Sequence, residues 1–201
     1  MAIRSALVAL ALTLAAGLGH AQQPITYKSA IVALTEDPEL RAQFEDGLVK
    51  KARAHEYDAV PSYTIVRDIR EARNDRFLEA LAALGVEAVL MLRPAAVGPG
   101  ASLESVRNEV SPKLYADMQK FAKKVSTSGD QDLIAVVHMA IYIVKGGKSE
   151  LMSSGAVWLD QPVTDRQEGI DRLQDLILTN VDAVRPAIRQ RLRLPPLDAK
   201  P

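Results

Sequence analysis

Side chains able to do chemistry are few in this sequence, and they stand apart from one another. Histidine occurs as His20, His55 and His138, and there is no cysteine. No second histidine or cysteine stands at a spacing that would build a zinc or iron site. We interpret His138, which lies among apolar neighbours, as a hydrogen-bonded sheet residue, with a functional role as the alternative. The sequence therefore predicts no metal site and no catalytic residue.

The run Lys145–Ser149 ends like a phosphate-binding loop. The first glycine of that motif is missing, however, because position 142 holds Tyr142. The motif must also join a strand to a helix, whereas extended runs flank Gly146 and Gly147 on both sides. A Gly-Gly pair in that setting predicts a hairpin turn. Nucleophile elbows, zinc-protease helices and dinucleotide fingerprints are absent from the sequence, so we predict no cofactor and no enzymatic activity.

Acidic residues are plentiful, and we expect them to follow the surfaces of the predicted helices. Glu36 and Asp37 resemble a carboxylate pair, but a helix cap explains them, with Asp37 as the N-cap and Pro38 in the first helical position. The run Arg67–Arg76 mixes both signs of charge, which is typical of a solvated helix face with ion pairs along it. Neither feature predicts a binding site.

A basic cluster lies close to the C-terminus and consists of Arg185, Arg189, Arg191 and Arg193. Two explanations stay open for it. The arginines could complement the negative end of a helix dipole, or they could contact an anionic surface such as a lipid headgroup or a cell-wall polymer. We expect residues 189–201 to form a basic tail that contains prolines.

Apolar periodicity predicts the elements that must position these residues, in the order strand, helix, strand, helix, strand, helix, hairpin, helix. The predicted elements are a strand over Tyr27–Leu34, a helix from Asp37 to about His55, a strand over Asp58–Val66, a helix from about Asp68 to Leu84, a strand over Val86–Leu92, a helix from Ser111 to about Ser128, hairpin strands over Asp132–Val144 and Ser149–Leu159, and a last helix from about Thr164 that Pro186 kinks or ends.

This alternation predicts a three-layer α/β fold with a mostly parallel sheet and helices on both faces. Pro61 cannot donate to a sheet ladder, so the second strand belongs at an edge and the strand order is 2-1-3. The C-terminal hairpin extends the sheet in antiparallel fashion. Pairing Lys145 with Lys148 places Val137 with Trp158 on one face and Val136 with Val157 on the other. Because both faces are apolar, both must be covered.

The N-terminus has the layout of a secretory signal. Arg4 precedes an apolar run from Ala6 to Gly19, and small residues lead to Ala21. We predict a signal peptide over residues 1–21 and a single α/β domain over residues 22–201, which places the protein in the bacterial periplasm. A lipobox cysteine is absent. The chain holds 25 basic and 25 acidic side chains, a balance that does not favour a nucleic-acid partner.

A ligand, if one binds, is expected beyond the carboxyl ends of the parallel strands, as in other open α/β sheets. In this chain that rim is built around Thr35, Tyr63 and Arg93. The connection over residues 94–111 is long, and long loops in compact domains are often functional.

Four segments resemble one group of known proteins. They are Phe44–Leu48, Asp58–Thr64, Leu84–Leu90 and Gly155–Trp158. Together they resemble small, mostly uncharacterised bacterial envelope proteins and lipoproteins, with folds similar to those of the lipoprotein activator of a penicillin-binding protein, the amino-terminal domain of the TolB protein and the curli secretion lipoprotein. The resemblance implies a non-catalytic envelope domain that contacts other proteins.

We therefore expect an envelope interaction or accessory protein with one or more envelope proteins as partners. Self-association of the chain is left open. The alternative function is a small-ligand-binding module or weak hydrolase that uses the rim around Thr35, Tyr63 and Arg93.

Overall fold

The computed structural model describes residues 26–97, 103–104, 107–108, 110–126, 135–159, 163 and 165–197. The predicted signal peptide over residues 1–21 lies outside the described residues, as do residues 98–102, 105–106 and 109 of the predicted 94–111 connection. The elements are, in chain order, β1 (Lys28–Ala33), α1 (Pro38–Ala54), β2 (Asp58–Pro61), two 3-10 turns (Ser62–Thr64 and Ile69–Arg73), α2 (Asp75–Ala83), β3 (Val86–Val97), α3 (Pro112–Ser126), β4 (Ala135–Lys145), β5 (Lys148–Trp158) and α4 (Arg166–Arg191).

The strands form a five-stranded sheet in the order β2-β1-β3-β4-β5. Strand β1 pairs in parallel with β2 and β3, and the hairpin of β4 and β5 continues the sheet in antiparallel fashion. The predicted α/β class, the 2-1-3 order and the edge position of the proline-containing strand are therefore confirmed. Gly146 and Gly147 form the turn, both with positive φ, as the Gly-Gly pair predicts.

Helix α1 begins where the sequence predicts its cap. The Asp37 carboxylate accepts hydrogen bonds of 3.0 Å from the backbone N–H groups of Glu39 and Leu40, and Pro38 opens the helix. Both acceptances satisfy N–H groups that have no partner inside the helix. Asp37 is therefore a structural cap, and Glu36 beside it is exposed.

Helices cover both faces of the sheet, as predicted. Helices α1 and α4 pack on one face, where the largest core includes Leu48, Leu92 and Ile177. On the other face, α2 packs Phe77 and Leu81 against β1 and β3, and α3 packs Met118 against Val136 of β4. The first two helices thus lie on opposite faces, because the two parallel crossovers run in opposite directions.

The predicted sharing of faces along the hairpin is wrong beyond its middle. Val137 faces Val157 and Val136 faces Trp158, the reverse of the predicted sets. The cause is a register shift: Ile141 pairs with Ser153 but Tyr142 pairs with Leu151, so β5 carries an extra residue. One extra residue in a strand moves every later side chain to the other face.

The predicted helix from Asp68 to Leu84 is two elements. A 3-10 turn ends at Arg73, and Asn74 caps α2 by accepting a 3.0 Å hydrogen bond from the N–H of Phe77. The cap side chain competes with the helical backbone and separates the two. The second strand is also shorter than predicted, because it gives way to a 3-10 turn at Ser62. Strand β3 is longer than predicted and runs on to Val97.

Helix α4 continues through Pro186 to Arg191, so the predicted start of the basic tail at Arg189 is wrong and the helix ends later. Arg189 is buried at 4% exposure, and its Nε and Nη2 donate to the carbonyl of Pro195. Leu194 packs against the main core. Packing on the sheet therefore holds the helix together across the hydrogen bond that the proline removes.

Glu45 of α1 is fully buried, against the expectation that acidic residues follow helix surfaces. Its Oε1 accepts from Nε of Arg41 at 3.0 Å, from Oγ of Ser62 at 2.8 Å and from the N–H of Ala33 at 2.9 Å. Its Oε2 accepts from the N–H of Tyr63 at 3.0 Å. One carboxylate thus joins α1 to the carboxyl ends of β1 and β2.

Arg41 completes this network from the same helix. Its Nη2 donates to Oγ of Ser62 at 2.7 Å and its Nη1 donates to the carbonyl of Arg67 at 2.9 Å. Arg41 is 2% exposed. The three Arg41 nitrogens and both Glu45 oxygens thus each make at least one hydrogen bond. Removing one partner of such a buried ion pair is strongly destabilising, because the other is left as an uncompensated buried charge.

We predict that Glu45→Ala lowers the free energy of unfolding by about 3–5 kcal/mol, because it leaves the Arg41 guanidinium buried without its carboxylate. Chemical denaturation measures the effect. Glu79→Ala on the exposed surface of α2 is the control and should change stability by less than about 0.5 kcal/mol. The double variant Arg41→Met with Glu45→Met should be more stable than Glu45→Ala. Equal loss in both would contradict the ion-pair explanation.

Candidate functional site

A cleft of about 130 Å³ opens at the carboxyl ends of the parallel strands, between the sheet and the first turns of α1 and α4. It lies where the topology of an open α/β sheet places a ligand site. Of the described residues that line it, only Thr35 and Arg166 have polar side chains, and the others are Ala33, Leu40, Phe44, Leu92, Pro94, Ala135, Val137, Leu159, Gly169, Ile170 and Leu173.

The volume limits what the cleft can hold. A cavity of about 150 Å³ lined by apolar side chains binds benzene, whereas small-molecule sites usually measure about 300–1,000 Å³. The cleft therefore fits a single apolar group, about the size of one leucine or phenylalanine side chain. Gly169 contributes to this space, because a Cβ there would lie in ordinary contact with Leu159 and Val163, at 3.7 and 3.8 Å.

The three predicted rim residues do not form one site. Thr35 lines the cleft, and its Oγ1 accepts a long 3.4 Å hydrogen bond from the N–H of Asp37. Tyr63 lies in the 3-10 turn after β2, where its hydroxyl donates to Asp46 at 2.7 Å. That hydrogen bond, followed by burial, raises the pKa of Tyr63. This hydrogen bond to Asp46 and the hydrogen bond from the Tyr63 N–H to Glu45 both tie the turn to α1.

Arg93 lies inside β3, because that strand runs past the predicted end. Leu92 before it lines the cleft, and side chains alternate along a strand, so Arg93 belongs to the opposite face. Its cross-strand partner in the register is His138, which is buried at 7% exposure. The interpretation of His138 as a sheet residue is confirmed by its place in β4. A ligand-binding role for Thr35, Tyr63 or Arg93 stays a prediction.

A second group of polar side chains meets where the C-terminal ends of α1 and α4 approach each other. The Asp182 carboxylate accepts a 2.6 Å hydrogen bond from the Tyr57 hydroxyl and contacts Nδ1 of His55 at 2.9 Å. The Arg185 guanidinium lies 4.3 Å from the centre of the Tyr57 ring and donates to the carbonyls of His55 and Glu56. These contacts join α1 to α4 across more than 120 positions of sequence, so no local pattern could have predicted them.

This group contains an acid and a histidine, but its geometry is that of a clamp between helices. Among the described residues, the Asp182 carboxylate contacts the Tyr57 hydroxyl and the His55 ring, and neither contact involves a serine, threonine or lysine side chain. Burial, followed by the Asp182 hydrogen bond, raises the pKa of Tyr57. Burial also raises the pKa of Tyr27 to about 12, and the nearby guanidinium groups of Arg185 and Arg189 oppose that shift.

The described residues show no group of three or more histidine, cysteine or carboxylate side chains that could hold a metal ion. Within the same part of the chain, none of the helices is long and apolar enough to cross a membrane.

No protein-family model matches the chain, and no curated protein matches its sequence. The fold is similar to that of lipoprotein GNA1162 from Neisseria meningitidis, at 10% identity over 79% of this chain and 98% of that chain, with a TM-score of 0.42. It is similar to hypothetical protein CT253 from Chlamydia trachomatis, at 10% identity over 81% and 98%, with a TM-score of 0.45. A PelC dodecamer from Paraburkholderia phytofirmans matches at 11% identity over 76% and 86%, with a TM-score of 0.42. The predicted resemblance was likewise to bacterial lipoproteins and uncharacterised bacterial proteins, and two of these three structures are a lipoprotein and a hypothetical protein.

The raised pKa values of Tyr27 and Tyr57 predict alkaline sensitivity. Unfolded tyrosines ionise near pH 10, so above that pH the folded state holds more protons than the unfolded state. The contribution of these two tyrosines to the free energy of unfolding should therefore be fully present below pH 10 and decrease as the pH rises toward 12. Denaturation midpoints measured from pH 8 to pH 11.5 test this.

Tyr27→Phe should reduce the alkaline loss at little cost at pH 7, because the Tyr27 hydroxyl is buried and has no hydrogen-bond partner among the described residues. Tyr57→Phe should destabilise the protein at pH 7 as well, because it removes the hydrogen bond to Asp182. An unchanged pH profile in both variants would show that the alkaline loss has another origin.

Proposed function

We propose that this protein is an exported bacterial domain that acts by binding and not by catalysis, and that its strand-end cleft receives one apolar side chain of a partner protein. The observation that carries the proposal is the cleft itself, an apolar space of about 130 Å³ at the strand ends. A single anchor residue seated in a pocket supplies much of the energy of many protein interfaces. The size of the cleft favours such an anchor over a metabolite.

The surroundings of the cleft support binding without chemistry. Among the described lining residues, Thr35 has the one hydroxyl group. Asp37 and Asp165, at the starts of the two helices beside the cleft, are engaged as helix caps. Ser62 is fully buried in the Glu45 network and is closed to a substrate. The arrangement therefore favours the interaction function over the weak hydrolase.

The predicted export signal supports a location outside the cytoplasm. The apolar run from Ala6 to Gly19 and the small residues before Ala21 have the pattern of a cleaved leader. The absence of cysteine fits a domain that is stable through its core alone, in a compartment where disulfides would form. The partner is accordingly expected to be another protein of the bacterial envelope.

Filling the cleft tests the proposal. Gly169→Leu places a side chain into the space, and Gly169→Ala fills it in part. Both should retain or raise thermal stability, because glycine costs about 1 kcal/mol in a helix interior relative to alanine. Ala183→Leu, on the exposed surface of the same helix, is the matched control. Benzene is the probe, and methyl NMR shifts of Leu159 and Leu173 report its entry.

We expect benzene to shift these methyl signals in the wild type and in Ala183→Leu, and not in Gly169→Leu. A photo-crosslinker at Arg166 should capture an envelope protein in cells, and Gly169→Leu should abolish that capture while Ala183→Leu retains it. If Gly169→Leu leaves the amount of captured protein unchanged, that result would contradict the role of the cleft. Turnover of a substrate by the purified domain would contradict the non-catalytic function.

A further inference from the structure

A basic groove lies at the opposite end of the sheet from the cleft, between the hairpin turn and the C-terminal end of α4. Its volume is about 750 Å³. The hairpin contributes Lys145 and Lys148, and the helix end contributes Arg191 and Arg193. The other described lining residues are Ile143, Ser149, Glu150, Ala187 and Gln190.

The charge of the groove differs from that of the chain. The whole sequence has a formal net charge of zero at pH 7. Lys145, Lys148, Arg191 and Arg193 face a single lining carboxylate, Glu150. Glu150 forms an ion pair with Arg191. Cations from two elements far apart in sequence are therefore concentrated at one end of a neutral protein, where they create a local positive potential.

Backbone geometry at the hairpin turn and at the helix end places these cations close together. The Gly146-Gly147 turn sets Lys145 directly opposite Lys148 in the register. Arg193 follows the helix end and has a φ of 59°, in the left-handed region where a glycine is usual after a helix. The cationic side chain of Arg193 thus lines the groove from a backbone position that favours glycine. Unfavourable backbone conformations of this kind cluster at functional sites.

Exposed leucines lie at the same end of the molecule. Among the described residues, the large apolar side chains that are exposed are Leu84, Leu151 and Leu197, at 47%, 52% and 45%. Leu84 precedes β3 at the end where that strand lies beside the hairpin turn. Leu151 and Leu197 belong to the two segments that carry the cations of the groove. Exposed apolar side chains beside clustered cations are typical of surfaces that bind membranes.

We propose that this end of the domain binds the surface of an anionic lipid membrane, with the groove cations on phosphate-bearing headgroups and the leucines at the acyl boundary. The leucines favour a lipid surface over a soluble polyanion, because a soluble anion offers them no apolar contact. Each cation near such a surface strengthens binding about fivefold. The whole chain carries no net charge at pH 7, so the attraction depends on this local group of cations.

Vesicle co-sedimentation at physiological salt tests the proposal with the full domain. Phosphatidylcholine vesicles containing about 30% phosphatidylglycerol should bind the wild type, and pure phosphatidylcholine vesicles should not. Lys145→Glu with Lys148→Glu should weaken binding about tenfold or more. Glu150→Gln should strengthen it about threefold, because it removes the one lining carboxylate and releases Arg191. Opposite effects from one groove cannot arise from loss of folding.

Lys120→Glu on α3 is the matched control, since Lys120 is a lysine with 80% side-chain exposure away from the groove. It should change vesicle binding less than about twofold. Leu151→Ser should weaken binding without changing its dependence on salt. Equal weakening by Lys120→Glu, or binding to both vesicle types alike, would overturn the proposal. Saturable binding of pyrophosphate to the groove without vesicle binding would overturn the lipid as its ligand.

Discussion

The buried ion pair of Arg41 and Glu45 is the constraint on which the carboxyl end of the sheet depends. Its carboxylate accepts from the backbone N–H groups of Ala33, at the end of β1, and Tyr63, just after β2, and its guanidinium donates to the carbonyl of Arg67. Water cannot replace these partners, because both side chains are almost fully buried. The first helix is therefore fixed against two strands at once, and the strand-end cleft has one rigid wall.

The other wall depends on close packing between α1 and α4. Gly47 allows the Gln174 side chain to approach, since a Cβ at Gly47 would lie 2.5 Å from the Gln174 amide nitrogen. That amide donates to the carbonyl of Phe44, and the Tyr57–Asp182 hydrogen bond joins the far ends of the helices. The helix pair is thus connected along its length, with an apolar opening at one end and a cationic groove at the other.

Much of the fold could be predicted because it follows from local patterns. The strand order depended on one proline, the start of α1 on one aspartate and the hairpin turn on two glycines. The errors have physical causes that local patterns do not carry. The extra residue in β5 reverses the faces of Val157 and Trp158, and packing keeps α4 helical through Pro186. Of the predicted rim residues, Thr35 lines the cleft, because it lies two residues after the end of β1.

The sequence by itself determined the class of fold, the cap of the first helix, the hairpin turn and the scarcity of reactive side chains, since these depend on residues close together in the chain. Only the tertiary structure decided which distant residues meet. It buried Glu45 among groups from three segments, turned Arg93 away from the cleft and brought the hairpin lysines beside Arg191 and Arg193. Contacts of this kind depend on strand register and helix packing, which are properties of the whole core.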